Sequence, residues 1–193
     1  MDVVTTLPRS PELTRADLDA LPEDGRRHEL LDGVIVMSAS PNSRHQGIVG
    51  NLYLALRQAC PPELRVRLTP FDVALSERTV LVPDLIVAPA TDLRVPGPPS
   101  PQGLRGAPLL AIEVLSRSTR RHDLLIKHAL LEEAGCPAYW VIDPGSLRSP
   151  TSLTAHELVD GSYVEVAHVT GSETWHAAQP FAVDLTPDLL IDD

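Results

Sequence analysis

Apolar residues recur at Ile48, Val49, Leu52, Tyr53 and Leu56, the three- and four-residue spacing of a single helix face, and the run stops at Pro61-Pro62. Ser40-Pro41-Asn42-Ser43 stands ahead of it as a turn and capping cluster, so a helix packed on a sheet is expected here. A shorter helix is expected over Thr14 to Leu21, opened by Thr14 and stopped before Pro22. Glu29 then falls at a helix-to-strand corner, where Asp32-Gly33 turns the chain into the strand Val34 to Met37.

The pattern next changes to runs of β-branched and apolar residues. Arg65 to Leu75 and Thr79 to Val87, joined by Ser76 to Arg78, read as a hairpin, and the Pro- and Gly-rich residues 91–107 read as an irregular surface loop. Leu109 to Leu115 is apolar on both faces except for Glu113, the signature of a strand covered on two sides. A helix follows over His122 to Ala134, with Leu124, Leu125, Leu130 and Leu131 offered to the core, and then a buried strand Tyr139 to Ile142. Strand, helix, strand with short connections makes a βαβ crossover within one sheet. The tail alternates in short β segments, Ser152 to Leu158, Tyr163 to Val169 and Phe181 to Leu185.

With 193 residues and 43% hydrophobic content, the chain is expected to form one domain over 1–193, preceded by a flexible segment at 1–11. It has no apolar stretch long enough for a membrane span and no signal-peptide pattern, so a cytoplasmic location and no membrane partner are expected. Cys60 and Cys136 lack the paired spacing of a zinc site and read as structural or incidental thiols. A formal net charge of -10 excludes a protein that coats nucleic acid electrostatically, so any such contact must be local.

Composition sharpens the picture at one residue: the chain has fifteen Arg and a single Lys, Lys127. Where a bare positive charge suffices this sequence uses Arg, so the retained Lys marks a place that needs a compact ammonium. An ordinary Asp123-Lys127 surface pair at i, i+4 is the simpler reading of the same residues. Glu113 inside an apolar strand costs several kcal/mol, at the ~ level of a buried ion, unless an Arg or a metal compensates it. Asp84, where Pro83 breaks a β run, could bring a second carboxylate to the same hard cation, for which Mg2+ or Mn2+ suits oxygen ligands better than zinc does.

The runs Glu29-Leu30-Leu31-Asp32-Gly33, Ser40-Pro41-Asn42-Ser43-Arg44-His45, Val82-Pro83-Asp84-Leu85, Glu113-Val114-Leu115-Ser116, Asp123 with Lys127, and Tyr139-Trp140-Val141-Ile142-Asp143-Pro144, taken together, resemble the Uma-type restriction endonuclease family of the PD-(D/E)XK nuclease superfamily. The likeness spans roughly residues 12–190. It implies an α/β (α+β) fold, a restriction-endonuclease-like mixed β-sheet flanked by helices with additional C-terminal strands. It also implies Mg2+ (or Mn2+) held by Asp84, Glu113 and the Val114 carbonyl, with Lys127 as the catalytic ammonium. Leu115 occupies the place where the superfamily carries its Lys, and Lys127 on the next helix is the migrated replacement. Glu29 matches a family acid on an N-terminal helix and His45 a family His facing the site. Arg117, Leu131 and Ala138 depart from the usual Pro, Tyr and Glu without touching a proposed ligand.

The activity so implied is metal-dependent hydrolysis of nucleic acid, DNA first, by a chain able to work as a homodimer. Ser116, Arg117, Arg120 and Arg121 are the candidate substrate contacts. The competing reading is a binding or regulatory module that keeps a nuclease fold without turnover.

Overall fold

The computed structural model describes residues 12–22, 25–38, 42–93, 103–116 and 120–191. The expected flexible segment 1–11, the Ser40-Pro41 part of the capping cluster, most of the Pro-rich loop and Arg117 lie outside the described residues.

Helix α1 (Arg15–Asp19) is short, and Thr14 donates from both its amide and its hydroxyl to the Asp17 carboxylate at 2.8 and 2.7 Å. Strands β1 (Arg27–Leu31) and β2 (Val34–Ser38) form an antiparallel hairpin about Asp32-Gly33, which take φ of 47° and 80°. Two left-handed residues are what a tight hairpin turn requires, and this corrects the expected helix-to-strand corner: Glu29 lies mid-strand in β1. Helix α2 (Ser43–Ala59) follows, with the Asn42 side chain accepting the His45 amide at 2.9 Å and Ile48, Val49, Leu52 and Leu56 buried.

The expected hairpin between Arg65 and Val87 is antiparallel, but it is cut in two. Its outer parts, β3 (Leu64–Leu68) and β6 (Leu85–Pro89), pair in a six-stranded sheet, while its inner parts, β4 (Asp72–Ser76) and β5 (Thr79–Leu81), pair in a five-stranded one. Pro70 and Pro83 stand at the two breaks, where a residue without N–H interrupts the ladder. Part of the expected loop is also a strand: β7 (Gly103–Arg105) pairs parallel to β4 at the edge of the five-stranded sheet.

Strand β8 (Leu110–Val114) is buried along its whole length and runs antiparallel to β6 and parallel to β9 (Ala138–Asp143). The crossover between β8 and β9 carries a π-helix, His122–Lys127, running directly into α3 (His128–Glu133). The βαβ expectation holds, and its apolar face holds in part: Leu131 is buried and Leu130 packs beside it, whereas Leu124 and Leu125 are exposed and Asp123 and Lys127 point inward instead. Strands β10 (Ser152–Val159) and β11 (Ser162–Thr170) complete the sheet in the order β11-β10-β9-β8-β6-β3. The tail adds a small pair, β12 (Trp175–Ala177) with β13 (Val183–Leu185), and a 3-10 turn at Pro187–Leu190.

The largest apolar cluster joins α2 to one face of the six-stranded sheet and to the C-terminal segments, with Trp140 fully buried and its ring 5.0 Å from that of Trp175. Among the described residues no helix is long and apolar enough to cross a membrane.

Candidate active site

Register brings the first two acids together. Leu85 pairs with Ile112 across the antiparallel β6-β8 ladder, so Asp84, one step before, lies alongside Glu113, one step after. Asp84 Oδ2 accepts the Val114 amide at 2.9 Å and lies 3.1 Å from His45 Nε2, while Oδ1 accepts Arg27 Nη1 at 3.3 Å. His45, in the first turn of α2, is only 6% exposed, so it is no surface residue.

The second half of the site is built around the ammonium. Lys127 Nζ sits 2.8 Å from Glu113 Oε1, 2.9 Å from Glu29 Oε1 and 3.5 Å from Asp123 Oδ1, and all four residues are nearly inaccessible. Glu29 is fixed in turn by the Val82 amide, which donates to its Oε1 at 2.7 Å, next to the Pro83 break. Four residues apart, Asp123 and Lys127 share one inward side of the crossover helix, and the Tyr139 hydroxyl donates to the Asp123 carbonyl at 2.9 Å. The Asp123-Lys127 pair is therefore a buried one.

Among the described residues, four buried carboxylates (Glu29, Asp84, Glu113, Asp123) meet two permanent cations, the buried Lys127 and the part-buried Arg27. Burial opposes the charge of Lys127, yet the adjacent Glu113, Glu29 and Asp123 outweigh it and hold the ammonium well above its ordinary range. Burial, with the charges of Asp123, Asp84 and Glu29, pushes Glu113 well above the usual carboxylate range against the pull of Lys127. Burial acts the same way on Asp84, but His45, the Val114 amide and Arg27 prevail and keep it below its usual value.

Hard oxygen donors and an excess of negative charge are the chemistry that suits a divalent cation such as Mg2+. Among the described residues, however, no three His, Cys, Asp or Glu side chains are gathered as a ready metal-binding group. The carboxylates are turned onto Lys127, Arg27 and His45 instead. Each carboxylate has about four lone-pair sites, so these bonds leave Asp84 and Glu113 able to accept a metal as well.

A family model described as "Putative restriction endonuclease", Uma2, matches residues 15–190. The chain belongs to the Uma2 family. The Uma2 architecture also matches a solved structure, titled a "putative nuclease belonging to DUF820" from Anabaena variabilis ATCC 29413, with a TM-score of 0.70 over 92% of this chain and 97% of that one. At 19% identity the likeness carries the fold alone. No curated protein matches the chain.

Of the site residues expected from this Uma2 sequence, Asp84, Glu113, Lys127, Glu29 and His45 form one connected buried group. Val114 joins it through its amide. Ser116 is half-buried at the edge, Arg120 is exposed and bonded to Asp143 Oδ2 at 2.6 Å, and Arg121 is exposed. Sequence reasoning named Asp123 only as the pair of Lys127 and gave Arg27 and Tyr139 no place in the site. Arg27 lies two residues before Glu29, so in a strand both face the same side, a signal lost when Glu29 is assigned to a corner.

Proposed function

We propose that this Uma2 protein is a Mg2+- or Mn2+-dependent endonuclease that hydrolyses phosphodiester bonds of nucleic acid, DNA in the first instance, in the cytoplasm. The observation that supports it is the buried Lys127 ammonium bonded to Glu113, whose strand neighbour Val114 is hydrogen-bonded to Asp84.

Asp84, Glu113 and the Val114 carbonyl would hold the metal. A divalent ion there would supply Lewis-acid polarisation of a phosphate oxygen and a more acidic water. Lys127, held as an ammonium, has no lone pair to accept a proton. It acts as a donor, to a water or to the oxygens on which charge builds as the bond breaks. Glu29 and Asp123 fix that ammonium from two further sides and restrict its reach. Arg27 and His45 hold the Asp84 carboxylate in one orientation, and Ser116, Arg120 and Arg121 lie along the connection where the strand would pass. Two copies related by a two-fold axis would present one such site to each strand of a duplex.

The test is incubation of the purified protein with single- and double-stranded DNA and RNA, in Mg2+, in Mn2+ and in chelator. Cleavage that needs the metal and disappears in Asp84→Ala and Glu113→Gln is expected. Intact substrates under every condition, with no calorimetric metal site lost in Glu113→Gln, would leave a binding module that has kept the fold.

A further inference from the structure

Beside the buried carboxylates lies a cleft of about 250 Å³ that Ser116 and Arg120 help to line. It opens between the first turn of α2 and the loop after β9, and Asn42, Arg44, His45, Arg120, Asp143 and Gly145 lie on its walls. Arg44 Nη2 donates to the Pro144 carbonyl at 2.7 Å, and Arg120 Nη1 donates to Asp143 Oδ2 at 2.6 Å. Asp143 Oδ1 also accepts the Gly145 amide at 3.0 Å.

From these bonds we infer that the cleft seats a phosphate of the substrate strand next to the bond to be cut, with Arg44 and Arg120 as its anchors. This rests on the nucleic-acid reading above and adds to it where the strand is gripped.

Three observations carry the inference. Each guanidinium has five N–H donors and both side chains are exposed at the cleft, so one bond apiece leaves donors for an incoming oxygen. The two arginines against the one acid, Asp143, make the cleft locally positive on a chain whose formal net charge is -10, and the positive end of α2, a 17-residue helix, adds to the same field. The third is His45: nine-tenths buried on the cleft wall, it uses Nε2 on Asp84 while its Nδ1 is buried with no hydrogen-bond partner among the described residues. With Nε2–H on the Asp84 carboxylate, Nδ1 of the neutral ring is an acceptor, so a phosphate seated here meets it through a protonated oxygen or a bridging water.

His45 also fixes the register. Its one ring touches the proposed metal ligand and lines the cleft, so the gripped phosphate neighbours the reacting one. Asp143 turns from repelling an anion to orienting its receptor, because its charge is already shared with Arg120 and the Gly145 amide.

The test uses fluorescence anisotropy of a labelled DNA duplex in chelator, with no divalent ion, across a range of salt. Arg44→Gln and Arg120→Gln are each expected to weaken binding by about three- to ten-fold and to lower the log-log salt slope by about one. Arg57→Gln, at the opposite end of α2 and roughly 20 Å away along the helix, is expected to bind as the parent does. Parental affinity and slope in both cleft variants, or an equal loss in Arg57→Gln, would overturn the inference. Inorganic phosphate separates a strand subsite from a free-anion site: if it binds more tightly than the duplex and depends on the same arginines, the strand assignment falls. Because turnover is not measured, arginine-dependent binding without cleavage would keep this inference and sink the nuclease reading. Metal-dependent cleavage with arginine-independent binding would do the reverse.

Discussion

The two faces of β8 are equally buried and chemically opposite. Leu110, Ile112 and Val114 enter the apolar cluster with α2, Trp140 and the C-terminal strands, whereas on the other side Glu113 meets Lys127 beside a smaller apolar cluster that takes Ala111. On the first face stability is a matter of shape, because dispersion and the exclusion of water act without regard to direction. On the second it depends on matching each charge to a partner, because an ion left alone in the interior is penalised by several kcal/mol, at the ~ level of a buried pair broken on one side. A strand of five residues thus divides the molecule into a part that holds the fold and a part that spends some of that stability on chemistry.

The sharpest way to break this comparison is Lys127→Met, which keeps an unbranched apolar stem, one atom shorter, and removes the charge. It is expected to cost about 3–5 kcal/mol in urea denaturation without metal, and to abolish cleavage, because Glu29, Glu113 and Asp123 lose their common cation. A variant as stable as the parent would show that the polar face does not need its ammonium.

On the apolar face the expected effect is smaller and of a different kind. Ile112→Val removes one methylene from a fully buried side chain and is expected to lower stability by about 1 kcal/mol while leaving the rate of cleavage unchanged. A change in rate larger than the change in stability would mean that the two faces are coupled through the strand.

The smallest effect concerns the rim of the polar face. His128 packs edge-on against His156 and Tyr163, with ring centroids 5.0 and 4.9 Å away, and burial, then His156, holds its pKa below the ordinary 6.5, against a weaker pull from Glu132. The unfolded chain therefore takes up the proton first, so stability is full above 6.5 and declines as the pH falls through that value toward the folded one. His128→Phe lacks this proton, and its Tm should fall less than the parent's over the same acid range. Parallel curves for the two proteins would remove His128 from the account.

Much of this division was legible in the chain before any coordinates. Glu113 stood out because nothing else in its strand is polar, Lys127 because Arg replaces it everywhere else, and α2 because its apolar face repeats without interruption. What escaped was set by partners distant in the chain. The single hairpin expected between Arg65 and Val87 has the right antiparallel order, yet Pro70 and Pro83 divide it between two sheets, an outcome decided by which neighbouring strands accept each half. Strand β7 has only three residues, in a segment rich in Pro and Gly, and exists because the edge of β4 offers it a ladder.

The crossover helix misled the reading of the core in a similar way. Hydrophobicity alone assigns Leu124 and Leu125 to the interior, but Glu29 and Glu113 hold Lys127 inward, and Asp123, four residues before it, shares that side. A strong local preference for burying leucine yielded to an ion-pair network that only the folded sheet assembles. Glu29 joins the buried group from mid-strand and not from a corner, since its partners, Val82 and Lys127, come from other elements.

The burial of the one lysine has a practical consequence. These 193 residues contain no other side-chain amine, and this one is 1% exposed and paired with carboxylates. Acylating dyes, amine crosslinkers and acetylating or ubiquitin-conjugating enzymes therefore find no lysine to modify on the folded surface. Labelling at this position becomes a clock for excursions that open the interior, with no background from other lysines.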